Sequence, residues 1–94
     1  MKLELIYFRD CPHAAEARAN LRAALAAAGM VDLPVTEWDR DDAAAPDYVR
    51  GYASPTVLVN GHDVSGDTAP VAAASCRATG APTVATIREA LAAR

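Results

Sequence analysis

The sequence predicts an α/β domain with the element order β-α-β-α-β-β-α, folded as a four-stranded mixed sheet with helices on both faces. Three observations point there. An apolar run at residues 2–8, "KLELIYF", precedes an alanine-rich segment over 12–28, in which Leu21 and Leu25 lie four residues apart. A second apolar run, "LPVTEW" at 33–38, returns after Gly29, which is the pattern of a parallel βαβ unit. Further on, "PTVLV" and "HDVS" flank Asn60-Gly61, a two-residue hairpin signature, and a closing amphipathic segment follows.

Each element has its own reason. Residues 2–8 alternate and then become continuously apolar, which reads as a central strand. Over 12–28 alanine dominates, Pro12 suits the first turn of a helix, and Gly29 stops it. Glu16, Arg18 and Arg22 fall off the Leu21–Leu25 stripe and are expected to face water. Pro34 gives the second strand an edge position or a strand start. The acidic stretch "DRDDAAAPDYVRGY" carries a short helix over about 41–50, punctuated by Pro46. The third strand is 55–59 and the fourth 62–65. The connection 66–82 is long and rich in small residues, with room for a short helix opened by Asp67 or Thr68 and closed by Gly80. In "PTVATIREALAAR", Val84, Ile87 and Leu91 make one apolar stripe.

The 94 residues form one domain, 1–94, and the bulk numbers limit what it does. The hydrophobic share is 52%, but 23 of those residues are alanine, so the few large apolar side chains must mostly face inward. Trp38 belongs among them. Net charge is −3 and Lys2 is the sole lysine, which excludes the concentrated positive charge that nucleic acid requires. No segment reaches the ~20 apolar residues of a membrane span. Glu4 interrupts the only stretch that resembles a signal-peptide core, so a cytoplasmic protein is expected, in a compartment that keeps thiols reduced. "DRDD" and Asp47 read as a solvated acidic surface, and His62 as an exposed hairpin residue.

Cys11 is the candidate nucleophile. It stands where the first strand gives way to the first helix, and amides at a helix start lack intrahelical partners while the dipole there is positive. Both favour thiolate over thiol. His13, two residues on, would stabilise the thiolate if protonated or hydrogen-bonded; Asp10 opposes it and Arg9 offsets Asp10. The alternative is a small buried hydrophobe, the commoner fate of a free cysteine. Cys76 is the second thiol. Ten residues separate it from Gly66, and an extended chain covers about 3.3 Å per residue. The predicted topology brings both ends of the 66–82 connection to the Cys11 end of the sheet, so Cys76 can reach Cys11. Reach is not contact, and a packed small residue under a loop is the other reading of Cys76. Arg77 would favour the Cys76 thiolate or bind an anionic group. Two distant cysteines lack the spacing of zinc ligands, so no metal site and no cofactor are expected.

"ASPTVLVNG" at 53–61 resembles the cis-proline segment of thioredoxin-like proteins, and "CPHA" at 11–14 occupies the place of their Cys-Pro-x-Cys motif. Nearly the whole chain is similar to a glutaredoxin-sized thioredoxin-like domain. "YFRDCPH", "SCR" at 75–77 and "GAP" at 80–82 are similar to pieces of small bacterial proteins catalogued as DF family (seleno)proteins, some of which carry an alkylmercury-lyase label.

The resemblance implies a cis Ser54–Pro55 bond, with the proline loop against Cys11 and Ser54, Pro55 and Thr56 receiving an extended substrate by strand-like hydrogen bonds. "SGD" at 65–67 is similar to a glycine-acidic turn at the glutathione site of glutaredoxins, which implicates Gly66 and Asp67, with Pro12 beside the thiol. Ala14 departs from the dithiol pattern, so Cys76 or an external thiol such as glutathione must resolve any intermediate. The expected activity is thiol–disulfide exchange with a small thiol or a protein disulfide as partner. Two others remain open: a module for soft metal ions such as mercury or copper, held by two thiolates, and a non-catalytic binding domain using Trp38 or Tyr48.

Overall fold

The computed structural model describes residues 1–65 and 80–93. Four strands form one sheet in the order β2-β1-β3-β4: β1 is Leu3–Tyr7, β2 is Val35–Asp39, β3 is Thr56–Val59 and β4 is His62–Asp63. β1 pairs parallel with β2, and antiparallel with β3; β3 pairs antiparallel with β4, so the sheet is mixed. β1 is central, as its continuous burial leads one to expect, and β2 is an edge strand that starts just after Pro34.

Strand alternation sorts the core into two faces. Leu3 and Leu5 of β1 lie opposite Val59 and Val57 of β3, and their face carries α1, Ala14–Ala27, and α2, Val84–Ala92. Leu21, Leu25, Ile87 and Leu91 close this larger cluster. Full burial of each such aliphatic side chain stabilises by roughly 1.5–3 kcal/mol. The second face holds Glu4, Ile6 and Leu58 against Ala45 and Val49.

Among the described residues, the α-helices are therefore not on both faces; the short helix expected from Asp67 or Thr68 lies outside them. α1 and α2 pack on each other on one side. The other side is covered by a 3-10 segment, Asp47–Gly51, in place of the α-helix expected over 41–50. The physical reason is local. Asp39 and Asp42 side chains accept the amides of Asp41 and Ala44, at 2.9 Å each, offering the backbone turns that compete with a helix. Pro46 then removes a donor, and Val49 is the one buried side chain of the segment.

Other boundaries shift by similar causes. α1 begins at Ala14 with His13 as N-cap, so Pro12 precedes the helix instead of filling its first turn. α1 ends in a Schellman arrangement: the Met30 amide donates to Leu25 O at 2.8 Å and the Gly29 amide to Ala26 O at 3.2 Å. Gly29 takes φ +71°, where a side chain would be strained. Asn60 and Gly61 both have positive φ, the geometry of a type I′ hairpin. β4 is shorter than the expected 62–65, because Asp63 Oδ1 turns to accept the Ser65 amide at 2.9 Å. Thr83 caps α2 through the Thr86 amide at 3.1 Å. Arg18 does not simply face water. It forks onto the Glu37 carboxylate with contacts of 2.8–3.1 Å and lies 5.6 Å from the Tyr7 ring centroid, tying α1 to the edge strand.

The smaller face is polar at its centre. Glu4 is 1% exposed and accepts from Trp38 Nε1 at 2.9 Å and from the Tyr48 hydroxyl, with Lys2 Nζ 3.9 Å away. This carboxylate joins the edge strand to the 3-10 segment. Its hydrogen bond holds the Tyr48 phenol in the protonated form, with burial adding to the effect, and pushes its pKa up to about 12. A raised folded value means stabilisation that is complete below the unfolded value of 10.0 and is lost as pH rises towards 12. Alkaline titration of tyrosinate absorbance should therefore show the Tyr48 phenol ionising late, and Glu4→Gln should return it towards pH 10.

Candidate functional site

The site is built from three turns. The first leaves β1. Its Phe8 carbonyl accepts the Cys11 amide at 3.0 Å, and the Cys11 carbonyl accepts the Ala14 amide at 3.2 Å, so Cys11 is held in consecutive turns leading into α1. The second is the approach to β3. Ser54 Oγ accepts the Phe8 amide at 3.2 Å, which fastens the segment before β3 to the residue that anchors Cys11. The third precedes α2. Gly80, at φ +78°, lies against the His13 ring: a β-carbon there would sit 3.7 Å from Nδ1. Asn20 Nδ2 donates to Pro82 O at 2.9 Å and fixes this turn to α1.

Cys11 is 6% exposed and disulfide-bonded. In this state its sulfur is oxidised and no thiolate exists. The bond sets Cys11 apart from a free cysteine buried as a small hydrophobe. His13 is half-buried at the N-cap, and its side chain makes no capping hydrogen bond. Pro12 is exposed.

The Ser54–Pro55 peptide is cis. Ser54, Pro55 and Thr56 are buried. Their polar groups are engaged within the fold. The Ser54 hydroxyl serves Phe8, and Thr56 Oγ1 donates to Ala53 O at 2.5 Å. Gly66, Asp67, Cys76 and Arg77 lie outside the described residues.

Beside the Cys11 turn is an open depression of about 560 Å³, lined by Arg9, Asp10, Asp39, Asp41 and Asp42. Arg9 approaches Asp39 at 3.7 Å. Four carboxylates against one guanidinium give this rim a negative field that opposes an anionic partner. Among the described residues, no group of three or more His, Cys, Asp or Glu is placed to hold a metal ion, and no helix is long and apolar enough to cross a membrane.

Two buried charged residues escape the sequence patterns. Arg40, inside the acidic "DRDD", is 4% exposed, so the stretch is not uniformly solvated. Its Nη1 donates to Tyr52 O at 2.6 Å, and its Nη2 to Arg50 O at 2.7 Å. Glu4 reads as an interruption of an apolar strand, yet it organises Trp38 and Tyr48. Trp38 is consequently half-buried, with its indole nitrogen committed to Glu4. The only advance signal was a single Arg among aspartates, and a single Glu among β-formers. No protein-family model, curated protein or solved structure matches the chain.

Proposed function

We propose that the chain is a thiol–disulfide oxidoreductase of thioredoxin-like type, with Cys11 as its nucleophile. One observation carries the reading: Cys11 is disulfide-bonded in a turn at the start of α1 that Ser54 braces through Phe8. The chain has one other cysteine, Cys76, which is the proposed resolving residue. Glutathione is the other resolving thiol the reading allows, and the acidic rim weighs against an anion there.

The proposed cycle starts from the reduced pair. Cys11 thiolate attacks one sulfur of a substrate disulfide; that S–S bond breaks, and the departing thiolate takes a proton. A mixed disulfide joins Cys11 to the remaining half of the substrate. Cys76 thiolate then attacks the Cys11 sulfur, a Cys11–Cys76 bond forms, and the second substrate thiolate leaves and is protonated. The substrate gains two electrons and the cysteine pair loses two. An external thiol or dithiol restores the pair by the reverse exchange. The helix start lowers the cost of the Cys11 thiolate in the reduced form. His13 is the side chain proposed to assist it.

Mass spectrometry of the reduced protein after exposure to glutathione disulfide tests the reading. An intramolecular Cys11–Cys76 bond, or a glutathione adduct on Cys11, is the expected product. Recovery of two unmodified thiols overturns it. In the same protein, alkylation of Cys11 against pH should place its midpoint below the range of an ordinary cysteine.

A further inference from the structure

We propose that Arg40 is a positioning residue for Cys11, acting through a closed ring of hydrogen bonds that the Arg40 guanidinium completes. The inference rests on the thiol–disulfide reading above. The ring is traced bond by bond. The Arg40 amide donates to Tyr7 O at 2.7 Å. Tyr7 leads covalently to Phe8, whose amide donates to Ser54 Oγ at 3.2 Å. Ser54 leads back through Ala53 to Tyr52, whose carbonyl accepts Arg40 Nη1 at 2.6 Å. The Cys11 amide hangs from this ring on the Phe8 carbonyl at 3.0 Å.

The choice of residue follows from chemistry. Burying a guanidinium is costly unless its donors are engaged. Here its fork meets the carbonyls of Arg50 and Tyr52 together, with the fixed planar geometry that an ammonium on a flexible stem lacks. The backbone of Arg40 grips the exit of β1 while its side chain grips the approach to β3. One residue thus sets the spacing of the two segments that hold Cys11. The Ser54 hydroxyl ties the approach to β3 to Phe8, whose carbonyl holds the Cys11 amide. The guanidinium meets the carbonyls of Arg50 and Tyr52, and its effect travels through Tyr52, Ser54 and Phe8.

The test is the equilibrium constant of the Cys11 disulfide against a dithiothreitol buffer, measured on wild type, Arg40→Lys, Ser54→Ala and the double variant. Circular dichroism and melting are followed in parallel. Lysine keeps the charge and loses the fork. Arg40→Lys should shift the constant by about threefold or more, within the range of couplings inside one network, and add much less once Ser54 is alanine. A role in stability alone lowers the melting temperature and leaves the constant of the folded protein unchanged. That result, or full additivity of the two substitutions, overturns the proposal. Should Arg40→Lys not fold, Ser54→Ala opens the same ring by removing one hydroxyl, and a wild-type constant in that variant overturns it equally. A wild-type disulfide that never exchanges with dithiothreitol sinks the oxidoreductase reading itself.

Discussion

Cys11→Ser protein should catalyse no thiol–disulfide exchange above the buffer's own rate, a loss of roughly a thousandfold or more, as expected when a nucleophile is removed. Serine keeps the size and most of the packing of the buried site, so the fold should survive and the loss should be one of chemistry. Cys76→Ser separates the two steps. If Cys76 resolves, the first attack still occurs, and a mixed disulfide on Cys11 accumulates where the wild type releases product. The measurement is turnover of a small disulfide substrate, with the trapped adduct identified by mass spectrometry. Equal turnover by Cys11→Ser and wild type would leave the site without a nucleophile and the proposed function without a basis.

Glu4→Ala should be the most damaging change on the smaller face, at about 2–4 kcal/mol, because it leaves a cavity and takes the acceptor from two donors at once. For a domain of this size that is a fall in melting temperature of about 10–20 °C. Trp38→Phe removes one donor and leaves the acceptor with Tyr48, so it should cost about 1 kcal/mol. If the cluster acts as a unit, the double variant costs less than the sum, since Trp38→Phe has nothing left to break once Glu4 is gone. Indole fluorescence reports the same event, because the Trp38 nitrogen loses its partner. A Glu4→Ala protein as stable as the wild type would mean that the buried carboxylate costs as much to desolvate as its hydrogen bonds return.

These two expectations draw on different parts of the molecule, and the sequence exposes them unequally. Cys11 was legible. A thiol between an apolar run and an alanine-rich segment stands at a strand–helix junction whatever the details of packing, because both flanking elements are set by local periodicity. The Asn60-Gly61 turn, the Gly29 stop and the stripe of Ile87 and Leu91 were legible for the same reason, each depending on neighbours within a few residues. Glu4 and Arg40 were not. Glu4 finds its donors at residues 38 and 48, and Arg40 finds its acceptors at 50 and 52, where backbone carbonyls carry no sequence signature.

The short helix expected over 41–50 shows the limit from the other side. Its composition permits a helix, and the alanines at 43–45 favour one. Asp39 and Asp42 nevertheless accept nearby amides, and the segment closes as turns and a 3-10 stretch with Val49 as its buried anchor. Among the described residues both α-helices gather on one face, and a carboxylate with two aromatic donors lies within the other.

From the sequence alone came the α/β class, the mixed four-stranded sheet, the central first strand and the position of Cys11 at a junction, since each follows from side-chain periodicity and turn chemistry along the chain. Tertiary structure alone decided which face the helices share, that Ser54 braces Phe8, and that Arg40 and Glu4 are buried. Those outcomes depend on polar groups meeting across tens of residues, and such meetings are selected by the geometry of packing, to which local pattern is blind.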